Sequence, residues 1–125
     1  MPNVKIKIVL VEDDPSILEM YTLKFTEEGY DIKTAEDGAA GLDLVKKELP
    51  KIVLLDIILP KLDGFSVLEE IKKDPKIKDI IVLLLSNLGQ DSDKEKGKKL
   101  GAVDYCVKAD LTPQQLVEKV REYIK

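Results

Sequence analysis

Three short stretches of this chain are apolar without interruption: Ile8-Val9-Leu10-Val11, Ile52-Val53-Leu54-Leu55 and Ile80-Ile81-Val82-Leu83-Leu84-Leu85. Between them, apolar residues recur at three- and four-residue spacing, as on the buried stripe of an amphipathic helix. The alternation predicts strand then helix, five times over. The first strand spans about Lys5 to Val11, and a helix follows Pro15 with Ile17, Leu18, Tyr21 and Phe25 on one face, stopping at Gly29. A short second strand, Asp31 to Ala35, leads to a helix that opens near Asp37, buries Leu42, Val45 and Leu49, and cannot continue past Pro50. The third strand is Ile52 to Asp56. Gly64 begins the third helix, with Phe65, Leu68 and Ile71 buried, and Asp74-Pro75 ends it.

The fourth strand runs from Ile80 to Leu85 and ends in Ser86; the fourth helix, Asp91 to Leu100, is heavily charged and interrupted by Gly97, which predicts the least securely packed helix. Val103 to Val107 forms the fifth strand, ending in Lys108. Thr112-Pro113-Gln114-Gln115 reads as a capping box with proline at the first helical position, starting a last helix that buries Leu116, Val117, Val120 and Ile124.

Strands apolar on both faces suit a parallel sheet covered by helices on both sides. With right-handed crossovers, five βα units give a flavodoxin-like doubly wound α/β sandwich, its five parallel strands in the order 2-1-3-4-5. Residues 1–125 then form one domain, a size that buries most of the chain's apolar surface. In such a sheet the functional crevice lies at the carboxyl ends of strands one and three, where the strand order reverses. Glu12, Asp13 and Asp56 fall there. Ser86 and Lys108 end the fourth and fifth strands on the same edge.

Composition narrows the chemistry. The chain is 44% hydrophobic and 35% charged, has no apolar run near the roughly 18 residues of a membrane span, and opens on Met1-Pro2-Asn3-Val4-Lys5 with no secretory signal pattern, so no membrane and a cytoplasmic home are expected. A net charge of −4 argues against direct nucleic-acid binding, and the cationic stretch Lys94 to Lys99 is interleaved with acids, as on a solvated helix face. The single Cys106 has apolar neighbours and reads as a buried strand residue. There is no histidine, which leaves carboxylates, lysine, hydroxyls and bound ions.

Taken singly, Asp14 or Asp63 is as often a turn former or helix cap as a functional acid, and Ser86 or Lys108 alone has a bland reading. Together they differ: three carboxylates in one crevice repel by roughly 3 kcal/mol per pair at about 5 Å and an effective dielectric near 20, so a cation is needed. Oxygen donors without histidine select a hard ion, Mg²⁺. A carboxylate beside Mg²⁺ and a lysine can attack phosphorus and become an aspartyl phosphate, to which the Ser86 hydroxyl can then donate a hydrogen bond.

Over its whole length the chain resembles the response-regulator receiver domain, the phosphoacceptor module of two-component signalling. Val11-Glu12-Asp13-Asp14 resembles that family's acidic pair, Leu55-Asp56-Ile57-Ile58-Leu59-Pro60 with Asp63-Gly64 its phosphoacceptor loop, and Leu85-Ser86 its hydroxyl position. Tyr105-Cys106-Val107-Lys108 resembles its aromatic switch and essential lysine. The intervals, 30 residues from Asp56 to Ser86 and 22 from Ser86 to Lys108, also fit.

The resemblance implies that Asp56 takes phosphate from the phosphohistidine of a sensor histidine kinase or phosphotransfer protein. It implies Asp13 as a direct Mg²⁺ ligand, Glu12 as one through water, and Asp56 and the Ile58 carbonyl as the rest, with Asp14 able to exchange roles with either neighbour. Tyr105 would turn inward as Ser86 moves toward the phosphate. Output would pass through helix four, strand five and helix five to a downstream protein or a second copy, the domain promoting only its own phosphorylation and dephosphorylation. Four positions depart from the family pattern. Ala109 replaces the usual proline after the lysine, which predicts a trans peptide and a rearranged loop from Lys108 to Thr112. Asn87 replaces a small residue and would narrow access to Asp56. Ile58 and Leu88 offer no polar group to orient a hydrolytic water, which predicts a long-lived phosphoryl state. Two other classes are weighed against this one: a flavin module would need a hydroxyl- and glycine-rich loop where three acids stand, and a Mg²⁺-dependent phosphohydrolase a second acid where Ile58 stands.

Overall fold

The computed structural model describes residues 5–87 and 89–125. The five βα units appear in the expected order: β1 Lys7–Val11, α1 Pro15–Glu27, β2 Asp31–Ala35, α2 Gly38–Glu48, β3 Ile52–Asp56, α3 Gly64–Lys73, β4 Ile81–Ser86, α4 Asp91–Leu100, β5 Asp104–Val107 and α5 Pro113–Ile124. All four strand pairings are parallel, and the sheet order is β2-β1-β3-β4-β5. This is the doubly wound flavodoxin-like sandwich. Alternate strand residues feed two apolar layers. Ile8, Leu10, Ile52, Leu54, Leu83 and Leu85 pack under α1 and α5, whereas Val9, Val11, Val53, Leu55, Val82 and Leu84 pack under the remaining helices. Both faces of the central strands are therefore filled, which is why their sequences show no alternation.

Local chemistry sets the helix starts. Asp14, Asp37 and Asp63 cap α1, α2 and α3 by accepting backbone N–H bonds. At α5 the capping box closes: the Thr112 side chain accepts from the Gln115 N–H at 3.1 Å, and the Thr112 N–H donates to Gln115 Oε1 at 2.8 Å. No peptide is cis among the described residues, so the bond after Lys108 is trans as expected, and Lys108–Asp110 forms one 3-10 turn.

Several sequence expectations shift. Leu49 is not on the buried stripe of α2. It stands at the helix end with φ 49°, a left-handed conformation that turns its side chain into solvent, and it is 60% exposed. Gly41 takes the buried place instead, since a Cβ there would lie 2.7 Å from both methyls of Val11. Gly97 likewise does not interrupt α4; it is the buried residue of that helix, set against Leu84 of β4. Lys5 and Lys7's neighbour Ile6 precede β1, and Val103 precedes β5, tied to the sheet edge by its N–H bond to the Val82 carbonyl at 2.8 Å. Cys106 is buried as expected, and burial pushes its thiol pKa up to about 11.

Gly64 joins the fold to the loop after Asp56. Its N–H donates to the Ile57 carbonyl at 2.7 Å, and a Cβ on Gly64 would run into the Asp56 carbonyl oxygen and lie 2.7 Å from Ile57 Cα. Backbone cannot yield as a side chain can. Gly64→Ala should therefore lower stability by about 2 kcal/mol in urea denaturation, an overpacking cost that exceeds the roughly 1 kcal/mol helix-propensity gain. A change within about 0.5 kcal/mol of zero would show that this approach does not constrain the loop.

Candidate functional site

The parallel register brings the ends of β1, β3 and β5 to one edge, and the first polar residues beyond the core meet there. The Glu12 N–H continues the ladder by donating to the Ala35 carbonyl at 3.0 Å, which keeps its carboxylate in the crevice, 1% exposed. Asp56 is the last residue of β3, buried opposite Leu85 of β4. One carboxylate oxygen from each of Glu12, Asp13 and Asp56 lies within 4.8 Å of the others, with Asp13 exposed and the other two buried.

Lys108 reaches into this cluster from the end of β5. Its Nζ donates to Glu12 Oε2 and, at 2.7 Å, to Asp56 Oδ2. The other oxygens are held locally: Asp56 Oδ1 accepts the Ile58 N–H at 3.3 Å, and Glu12 Oε1 accepts the Asp14 N–H at 3.1 Å. Burial pushes the Glu12 carboxyl above its ordinary pKa; the hydrogen bond from Lys108 opposes this, and the Asp56 charge adds to it. Burial would lower Lys108, yet its hydrogen bonds to Asp56 and Glu12 prevail and hold the ammonium above the usual lysine value.

Asp14, whose part the sequence left open, lines the same cavity but is not among the three converging carboxylates. Its Oδ1 accepts the Ser16 N–H at 2.9 Å and the Ile17 N–H at 3.4 Å, so it caps α1. Asp63 does the same at α3, accepting from the N–H and hydroxyl of Ser66. Burial alone would raise Asp63, but these bonds together hold its carboxyl below the ordinary range. Both acids thus serve as helix caps.

The crevice opens into a cavity of about 490 Å³ whose lining includes Asp13, Asp56, Ile58, Asn87 and Lys108. Asn87 lines this opening, and Ile58 is 68% exposed. Leu88 lies outside the described residues. Ser86 is buried at the end of β4 and hydrogen-bonds the half-buried Tyr105 side chain. Burial raises the Tyr105 phenol, against the effect of that bond. Two features escaped sequence reading: the Gly64 approach to Asp56, and Lys96 on α4, whose Nζ sits 4.5 Å from the Phe65 ring centroid. Neither carries a local signal: the first depends on how the loop between β3 and α3 folds back on itself, and the second joins residues of different βα units.

Chemically, the donor set is three carboxylates balanced by one ammonium. It fits a hard divalent cation, which oxygen ligands of this charge favour.

Comparisons with known proteins agree with this geometry. The family model described as "Response regulator receiver domain" matches residues 8–121. The chain is 38% identical over 121 residues to the "Probable transcriptional regulator ycf27" of Guillardia theta, covering 97% of this chain and 46% of that protein. It is 34% identical over 102 residues to Protein PilH of Pseudomonas aeruginosa, covering 82% of this chain and 84% of the relative. Among solved structures, the Vibrio cholerae chemotaxis protein CheY4 superposes with a TM-score of 0.89 at 25% identity, over 96% of this chain and 99% of that one. The chain thus spans about half the length of the ycf27 relative and most of PilH. With a family match over nearly all of its residues, an edge of acids and lysine, and the 2-1-3-4-5 sheet, the chain belongs to the response regulator receiver domain family.

Proposed function

We propose that this chain is a phosphoacceptor switch in which Asp56 accepts a phosphoryl group in a Mg²⁺-dependent reaction, donated by a sensor histidine kinase or phosphotransfer protein. The observation that carries this reading is the position of Lys108, bonded to both Glu12 and Asp56 at the mouth of the acidic crevice. Asp13, Asp56 and the Ile58 carbonyl would hold the cation, with Glu12 engaging it through water. When bound, Mg²⁺ would supply charge neutralisation for the phosphoryl oxygens.

The remaining chemistry belongs to the chain's own groups. An Asp56 oxygen attacks phosphorus in line, the bond to the donor nitrogen breaks, and the donor imidazole leaves. Lys108 exchanges a carboxylate contact for a phosphoryl oxygen. Ser86 exchanges its bond with Tyr105 for another phosphoryl oxygen, so the state of Asp56 biases the tyrosine at the α4–β5–α5 face. A downstream protein or a second copy would read that face. No helix among the described residues is long and apolar enough to cross a membrane. On this reading the domain turns over no separate substrate, and residues 1–125 act as one unit.

Incubation with acetyl phosphate and Mg²⁺ should add one phosphoryl group per chain, seen as a single mass increment. Asp56→Asn should abolish it and EDTA should suppress it. Sustained release of phosphate from an ester, or labelling that survives Asp56→Asn, would refute the assignment.

The exposed apolar Ile58 at the cavity supports a long-lived phosphoryl state, because it offers no hydrogen bond to an attacking water. Phosphate loss from the isolated phosphoprotein should take minutes or longer and accelerate several-fold in Ile58→Asn. A lifetime of seconds, unchanged by that substitution, would remove this part of the reading.

A further inference from the structure

Strand β2 and helix α2 place no side chain among those lining the acidic crevice. The first residue of α2 nevertheless touches the loop that leaves Asp56. The Gly38 N–H, one of the donors that a first helical turn leaves without a partner inside the helix, donates to the Pro60 carbonyl at 3.2 Å. A Cβ on Gly38 would lie 1.6 Å from the Leu62 carbonyl oxygen and 2.6 Å from its carbon. Between Pro60 and Leu62, the exposed Lys61 side chain brings its Nζ to 3.8 Å from Asp37 Oδ2, just before the glycine. Two βα units thus interlock through their backbones.

Gly38 and Lys61 each stand where the other residue type would be locally cheaper. Among the described residues the glycines with positive φ are Gly29 and Gly101, so Gly38 is not there for a left-handed backbone, and glycine is a poor helix former. Only the approach of Leu62 requires it. Lys61, by contrast, has φ 66°, inside a three-residue turn closed by the Leu62 N–H on the Pro60 carbonyl at 2.7 Å. Such strain persists where the surroundings hold it. Here the Pro60 carbonyl that closes the turn is also the one Gly38 binds. At its base the same loop is pinned by the Gly64 N–H on the Ile57 carbonyl. Ile58 lies between these two pins, with its N–H on Asp56 Oδ1.

We propose that Gly38 is a positioning residue of the cation site: its grip on Pro60 and Leu62 holds the strained Lys61 turn in place and thereby fixes the Ile58 carbonyl. The proposal rests on the receiver reading above, in which that carbonyl is a Mg²⁺ ligand. A side chain at position 38 would push the tip of the loop away, and Ile58 stands only two residues before Pro60. The coupling is reciprocal: if the grip favours the cation, the cation strengthens the grip by the same factor. A glycine needed for packing alone behaves differently. Its replacement lowers stability and leaves the cation affinity of the folded chain unchanged.

The test is calorimetric titration of Mg²⁺ into the full chain, joined to amide hydrogen exchange followed by NMR. Gly38→Ala should weaken Mg²⁺ binding at least fivefold. Adding Lys61→Gly to it should return the affinity to within twofold of the wild type, because a glycine lets the tip bend without carrying Ile58 along. A loss that Lys61→Gly leaves unrelieved overturns the role given to the turn. Should Gly38→Ala not fold, the wild type decides. Saturating Mg²⁺ should slow exchange of the Gly38 and Leu62 amides at least threefold relative to the Lys51 amide, which is bonded to the Lys7 carbonyl at the opposite end of the sheet. Equal Mg²⁺ affinity in the wild type and Gly38→Ala, or Gly38 and Leu62 exchange blind to Mg²⁺, overturns the proposal and leaves the receiver reading standing. A wild type that binds no Mg²⁺, or binds it no better than Asp13→Asn, overturns the receiver reading and the positioning role with it.

Discussion

Mutual repulsion among Glu12, Asp13 and Asp56 is the constraint on which the site is built. Their oxygens converge within 4.8 Å, two of the three groups are buried, and the sheet gives them no route of escape. At an effective dielectric near 20, each pair at such a distance costs about 3 kcal/mol or more, comparable to a large fraction of a domain's stability. Lys108 is what makes the arrangement tolerable. One ammonium against three carboxylates leaves a residual negative charge of two, which matches a divalent cation.

The fold serves that constraint by fixing backbone positions closely. Each functional residue sits at the end of a strand or within two residues of one, so its placement inherits the rigidity of a sheet packed on both faces. Gly64, by approaching the Asp56 carbonyl, locks the loop that carries Ile58, and Gly41 lets α2 lie against Val11, just before Glu12. On the other side, Ser86 ends β4 beside β5, so a hydroxyl near the acids and an aromatic near the surface share one hydrogen bond. On the proposed function, a charge change at Asp56 has a short physical path to the α4–β5–α5 face.

Much of this was legible from the chain alone, for identifiable reasons. Runs such as Ile52-Val53-Leu54-Leu55 report burial on both faces, which only a covered parallel sheet provides, and the residues that end them must emerge at one edge. Thr112-Pro113-Gln114-Gln115 announced its helix start because capping is local chemistry. The failures lie where the answer depends on distant neighbours or single dihedral angles. Three consecutive acids gave no register, since Asp14 differs from Asp13 only in how its backbone turns into α1. Leu49 looked periodic with Val45, yet one left-handed φ removes it from the stripe. Gly97 looked like a flaw in α4, because a contact with Leu84 is invisible in the sequence of either element.

The central claim, that Lys108 balances the buried acids, is tested most directly by a double-mutant cycle in urea denaturation without divalent cations, using Lys108→Met, Asp56→Asn and both together. With Lys108 present, Asp56→Asn should change stability by less than about 1 kcal/mol, since it removes a repulsion and an ion pair together. In the Lys108→Met background the same substitution should stabilise by about 2 kcal/mol, because only repulsion is then removed. An equal effect of Asp56→Asn in the two backgrounds would contradict the account.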